Sequence, residues 1–196
     1  MVKYFRYRNT NCYFLESSID NSLLAIDAGW PCTLYEYQRA LKTIGYSFKN
    51  IKWAIVTHFH MDHAGLIGEF IKEGITCYSF ENQTLINITE MERVILKNKE
   101  YAAYQKIDIN KLKTMNINGF NNEIKTLGID GEAIITKGHS PDSITFLTKD
   151  HEAIIGDLAP INQIMENDKE SLENWNSIKQ KCAKTIYPSH ANIFEI

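Results

Sequence analysis

Three imidazoles and a carboxylate fall within six residues, in the run His58-Phe59-His60-Met61-Asp62-His63. Imidazole and carboxylate are the side chains with which catalytic sites hold zinc and related divalent ions. A single tetrahedral ion has no room for all four groups from so short a loop, so their density points to two metals side by side. Three further groups sit in turn-rich surroundings. His139 lies in Thr136-Lys137-Gly138-His139-Ser140-Pro141, His190 in Tyr187-Pro188-Ser189-His190-Ala191, and Asp157 closes Ile155-Gly156-Asp157. Taken singly each is ordinary. A lone His at a strand end is more often structural than a ligand, and Asp157 or Asp27 (in Ile26-Asp27-Ala28-Gly29) alone reads as a strand terminator or a turn residue. His151, in Lys149-Asp150-His151-Glu152, belongs to a polar hairpin and takes no functional role.

Such groups need elements that deliver them to one place. Short apolar pieces over 4–7, 12–15 and 23–26 read as strands, with turns at Asn9-Thr10-Asn11 and over 17–21. Leu34, Tyr37, Leu41 and Ile44 recur at helical spacing, and Gly45 stops that helix. The run 51–56 is a buried strand that hands over the His cluster at its C-terminal end. A short helix over 64–72, with Ile67, Phe70 and Ile71 inward, precedes a strand over 75–80. The polar stretch 81–115 reads as one or two helices over the sheet, with 81–120 a candidate lid inside the same domain. Strand signals return over 123–126, 133–136, 144–148, 153–155 and 185–187, with a helix marked by Leu172, Trp175, Ile178 and Cys182. Strands and a helix, then strands and a helix again, fit two sheets back to back with helices on both outer faces, an α/β sandwich spanning 1–196 as one domain. Strand ends converge on one edge of a sheet, where side chains are held rigidly from below and reached from above.

His58-x-His60-x-Asp62-His63, then His139, Asp157 and His190 in that order, together with Asp27, resemble the metallo-β-lactamase superfamily. The resemblance runs from Tyr4 to His190 and implies a four-layer αββα sandwich. It implies that His58, His60 and His139 hold a first metal, that Asp62, His63 and His190 hold a second, and that Asp157 bridges both. By the same resemblance Asp27 hydrogen-bonds the His-rich loop from behind, and Asp62 also orients the attacking hydroxide. The implied cofactors are two divalent ions, zinc first, with iron, manganese or cobalt equally acceptable to His and Asp ligands. Two ions about 3.5–4 Å apart share a water and lower its pKa. The implied activity is therefore hydrolysis of a small ester, thioester or lactone by a metal-bridging hydroxide.

Departures from the family pattern narrow the branch. Lactam-cleaving members carry Cys or Ser where Asp157 stands. Glyoxalase II proteins carry a helical substrate domain after the last ligand, whereas this sequence ends six residues beyond His190. Nucleases of the family insert a cap. Gly138-His139-Ser140-Pro141-Asp142 replaces the more usual Gly-His-Thr-Pro-Gly, on the expectation that Asp142 takes the left-handed backbone in place of glycine. Ser189 and Ala191 replace glycines around His190, and both are small enough for the loop to close. Three other readings stay open: a mononuclear iron enzyme like the sulfur dioxygenases, a small phosphodiesterase, and a non-catalytic binding protein.

Bulk properties set the outer limits. The 196 residues are 44% hydrophobic and 23% charged, with a formal net charge of -3, ordinary for a globular chain with a sizeable core. Nothing global attracts nucleic acid, and the basic residues Lys3, Arg6 and Arg8 read as a solvated strand face. The N-terminus has no apolar core of signal-peptide length and no run approaches a bilayer span, so a cytoplasmic protein acting on a small molecule is expected. Cys12, Cys32, Cys77 and Cys182 form no C-x-x-C pair and read as reduced thiols, Cys32 being a weak candidate for exposure near a site. Phe59 and Met61 lie within the ligand loop, and Trp30, Ile161, Met165, Tyr101 and Tyr104 lie on segments that reach a cleft rim; for each, core packing is the stronger expectation.

Overall fold

Alternation with a period of two builds the frame. In β2 (Thr10–Glu16), Cys12 and Phe14 face one way and Tyr13 and Leu15 the other, and all four are buried. In β3 (Leu23–Ile26), Leu23 and Ala25 join the first pair, while Leu24 and Ile26 join the second. Both faces of the sheet are thus covered, which is why these strands read as continuous apolar runs. The computed structural model describes residues 1–165 and 167–196.

β1 (Lys3–Tyr7), β2, β3, β4 (Ile51–Ile55), β5 (Thr76–Phe80) and β6 (Lys113–Met115) form a six-stranded sheet in chain order. The first three pair antiparallel and the last three add in parallel. Parallel pairing requires crossovers. They are supplied by α1 (Leu34–Thr43), by the pair α2 (Met61–Ala64) and α3 (Ile67–Lys72), and by α4 (Leu85–Lys97). The second sheet runs β11 (Phe194–Glu195), β10 (Thr185–Pro188), β9 (Glu152–Gly156), β8 (Ile144–Thr148), β7 (Gly131–Ile135), with α6 (Lys169–Gln180) crossing between parallel β9 and β10.

Three apolar clusters fill the layers. Tyr37, Leu41, Phe70 and Met91 pack on the outer face of the first sheet with Phe14 and Ala25. Tyr13, Leu24, Ile26, Phe146 and Ile154 meet between the sheets. Trp175 and Ile178 of α6 pack with Ala153, Ile155 and Ile186 on the outer face of the second sheet. The architecture is the expected αββα sandwich.

Several local expectations change. The stretch 123–126 is not a strand: it is the last turn of α5 (Ile117–Thr126), whose cap Asn116 accepts a hydrogen bond from the Gly119 amide at 2.7 Å and whose Phe120 and Ile124 enter the inter-sheet core. The helix expected over 64–72 is two helices. The break falls at Gly65, where a Cβ would lie 2.2 Å from the Pro31 nitrogen and 2.5 Å from the Met61 carbonyl oxygen. The stretch 81–115 holds one long helix, short 3₁₀ turns and the edge strand β6. Among the described residues no helix is long and apolar enough to cross a membrane.

Candidate metal centre

The parallel pairing of β3 with β4 sets Ile26 opposite Ile55. Asp27 and Thr57 therefore emerge together at the C-terminal ends of neighbouring strands. Asp27 is fully buried and left-handed, with φ 69°. Its carboxylate accepts the Thr57 amide at 2.7 Å, the Thr57 hydroxyl at 3.0 Å and Nδ1–H of His63 at 2.9 Å. The Thr57 oxygen also lies 3.1 Å from Nδ1 of His58. Both buried histidines are thus held by Nδ1 from behind, and both present Nε2 forward. His60 caps α2, so one helical turn throws Asp62 and His63 back toward His58.

The second sheet brings the remaining groups. Gly156 ends β9 with φ 59°, and a Cβ there would lie 2.8 Å from Thr57 side-chain atoms. Only glycine allows so close an approach of the two strand ends. Asp157 follows directly. The His190 loop is drawn in by Asn11, whose side chain donates to the Pro188 and Ala191 carbonyls at 2.8 and 3.0 Å, and His190 Nδ1–H donates to the Asn9 carbonyl at 2.8 Å.

The seven groups meet. Nε2 of His58 is 2.9 Å from Nδ1 of His60, which is 3.3 Å from Nε2 of His139. On the other side, Oδ2 of Asp62 lies 3.0 Å from Nε2 of His190 and 3.5 Å from Nε2 of His63. The Asp157 carboxylate stands between, 3.3 to 3.9 Å from His58, His63, His139 and His190. Three overlapping sets, His58/His60/His139, His58/His63/Asp157 and Asp62/His63/His190, each keep their donor atoms within 4.8 Å of one another. Two buried atoms in this space, Nε2 of His63 and Oδ1 of Asp157, stand 3.4 Å apart and make no hydrogen bond. Buried polar atoms are rarely left so. An all-nitrogen-and-oxygen donor set with forward-facing orphans fits divalent transition metals.

Charge is arranged to match. Burial opposes protonation of His63, but the facing Asp27 and Asp157 carboxylates overcome it and lift its pKa to about 10. Hydrogen bonds to Asp157 and Asp62 lift His190 to about 10. Burial would raise Asp157 and Asp62, yet contacts with His190 and His63 hold both below the usual carboxylate range. His58 is pushed well down by burial and by its neighbouring imidazoles. Burial also lowers His139, in part offset by Asp157.

A family model described as the metallo-beta-lactamase superfamily matches residues 6–78, the segment carrying Asp27 and the 58–63 run. The curated beta-lactamase-like protein 2 homolog of Caenorhabditis elegans is 26% identical over 195 residues, 97% of this chain. In that segment and in its fold the chain is similar to the metallo-beta-lactamase superfamily. It spans 59% of the length of that curated relative. Solved superfamily structures share the fold across the whole chain. A metallo-beta-lactamase family protein of Thermus thermophilus is 17% identical with a TM-score of 0.65, covering 100% of this chain and 74% of its own. An archaeal superfamily protein from Sulfolobus tokodaii is 15% identical with a TM-score of 0.63, covering 99% and 81%. TTHA1623, in a di-iron-bound form, is 15% identical with a TM-score of 0.69, covering 100% and 94%.

Beside the centre lies a cleft of about 460 Å³. Phe59 and Met61 line it, together with Met91 and Val94 from the 81–120 segment, neither of which stands out in the sequence. Their signal is the apolar face of α4, which pattern alone does not distinguish from core. The other rim candidates lie elsewhere. Tyr101 and Tyr104 are buried in the core outside the first sheet, because their rings complete the packing under α4. Trp30 packs against the same cluster, Ile161 packs beside α6, and Met165 is exposed. Cys32 is exposed and Cys12 and Cys77 are buried, all as free thiols. Asp142 is not left-handed; its carboxylate instead accepts the Phe59 amide at 2.7 Å and the Ser140 hydroxyl at 2.8 Å, bracing the ligand loop.

Proposed function

We propose that the chain is a metal-dependent hydrolase that holds two divalent ions and cleaves a small ester, thioester or lactone. His58, His60 and His139 would hold one ion, and Asp62, His63 and His190 the other, with Asp157 shared. The observation that carries this reading is the Asp157 carboxylate, placed between two histidine-containing sets and within 4 Å of four imidazoles. Bound there, such ions would supply Lewis acidity toward a carbonyl oxygen and acidify a water.

The chain's own groups do the rest. Asp62 borders both the centre and the cleft, and its lowered pKa keeps it a carboxylate that can accept a hydrogen bond from a water and orient it. Asp27 and Thr57 fix the two buried imidazoles so that Nε2 faces forward. The di-iron form of TTHA1623 supports iron beside zinc as the occupant. The net charge of -3 favours a small molecule over nucleic acid as the substrate.

The test is elemental analysis of the purified protein, then turnover of ester, thioester, lactone and phosphodiester probes. Two metals per chain with carbonyl-ester cleavage is the expected result. One iron per chain, oxygen uptake and no ester cleavage would replace this reading with a dioxygenase.

A further inference from the structure

The cleft beside the centre is apolar on both walls. Phe59, Met61 and Pro141 form one side, and Met91 and Val94 of α4 form the other. Its polar side chains are mostly spent on the protein itself. Oδ1 of Asn87 takes the Thr84 amide and hydroxyl, and the Asp142 carboxylate takes the Phe59 amide and the Ser140 hydroxyl. No Lys or Arg lines the cleft among the described residues, while Glu90 does. Glu90 pairs with Arg93, one turn further along α4, at 2.6 Å. His60 and Asp62 of the candidate centre also line it, so the cleft opens onto the groups placed at the reaction.

We propose that the cleft receives an uncharged hydrocarbon chain attached to the scissile carbonyl, and that its lack of a cation disfavours substrates whose chain ends in a carboxylate or phosphate; this rests on the hydrolytic reading above. In the reaction, water adds to the carbonyl carbon and the carbon–oxygen or carbon–sulfur bond breaks. The alcohol or thiol leaves with one proton, and the acyl chain departs as the acid. Apolar walls select for chain length through burial, and a lining without Lys or Arg offers a terminal anion no counter-charge to replace its lost hydration.

The experiment measures kcat/KM of the metal-loaded protein on p-nitrophenyl acetate, butyrate, hexanoate and octanoate, and on the p-nitrophenyl monoester of suberic acid. Each methylene that is fully buried should raise kcat/KM by about fourfold until the cleft is full, and the suberate ester should fall at least about tenfold below octanoate. A profile flat or falling with chain length, or a suberate ester used as well as octanoate, overturns the proposal. Val94 is half-exposed on α4, so Val94→Asp should fold; it should lower the octanoate-to-acetate ratio about tenfold. Glu90→Lys, which places a cation on the lining, should raise the suberate-to-octanoate ratio by at least about threefold, and an unchanged ratio overturns the missing counter-charge as the cause of the discrimination. If no ester is turned over, the hydrolytic reading fails by itself. Calorimetry still decides the cleft: N-methyloctanamide should bind at least about tenfold more tightly than N-methylacetamide, and equal binding overturns the assignment.

Discussion

Asp27→Asn removes one charge and almost no volume, yet its effect on the centre follows closely from the hydrogen bonds. Oδ1 of Asp27 accepts the Thr57 backbone amide at 2.7 Å, and a backbone amide can only donate. The new side chain must therefore keep its oxygen at that position and place its NH₂ where Oδ2 now faces Nδ1 of His63 at 2.9 Å. Two donors then oppose each other. Either the contact breaks, or His63 moves its proton to Nε2, the atom it would offer to a metal. Loss of a buried hydrogen bond to a charged partner costs about 1.5–3 kcal/mol, equivalent to roughly 10- to 100-fold in metal affinity, the range seen when partners behind a ligand are removed. The loss should fall chiefly on the ion that Asp62, His63 and His190 would hold. Competition titration with a chromophoric chelator resolves the two affinities. Both sites binding as tightly as before, or weakening equally, would refute the claim that Asp27 acts through His63.

Asp157→Ala should bring metal content below one ion per chain, measured by elemental analysis, since one carboxylate serves both sets; a variant that keeps two ions removes the bridging role. His63 and His190, both lifted to about 10, carry protons near neutral pH in the metal-free chain, and ligation requires them neutral. Metal uptake at pH 7.5 should therefore release up to about two protons, and affinity should climb as pH rises toward 10; calorimetric heats independent of buffer ionisation enthalpy would contradict this. Glu69 is raised to about 7 by burial, and its Oε2 has no partner. Its ionisation therefore costs stability as pH rises from about 4.5 through 7. Glu69→Gln should add about 1 kcal/mol at pH 8 after allowing for solvent screening, roughly 2–4 °C in Tm, and little at pH 4.5; the opposite pH trend in thermal melts would show the carboxylate to be paired.

The strands that frame the centre are legible because both sheet faces are buried, so 12–15, 23–26 and 51–56 stand out as apolar runs ending in Asp27 and the His-rich loop. The loop itself is legible because four ligand-type side chains in six residues have no competing structural use. Other elements are hidden for physical reasons. α5 starts with Ile117-Asn118-Gly119, poor helix formers, and owes its stability to the Asn116 cap and to Phe120 and Ile124 in the core, contacts invisible from propensity. Gly65, between the two short helices, must be glycine because the Pro31 and Trp30 backbone from another segment presses against it. Tyr101 and Tyr104 resemble rim aromatics until α4 is laid over them, and Met91 is a core residue that also lines the cleft, a second role its pattern does not reveal. Asp142 reads as a glycine substitute in a turn, whereas tertiary contact makes it a brace for Phe59.

The donor atoms divide between the two ends of the chain. His58, His60, Asp62 and His63 precede Gly128, the left-handed residue (φ 74°) of the turn between α5 and β7, and His139, Asp157 and His190 follow it. A protein nicked in that turn would carry half a coordination shell on each fragment, joined by the Gly156–Thr57 contact and by Asn11 reaching the Pro188–Ala191 backbone. Reassembly of the fragments would then respond to added metal, the ion acting as a rivet across the seam between the sheets.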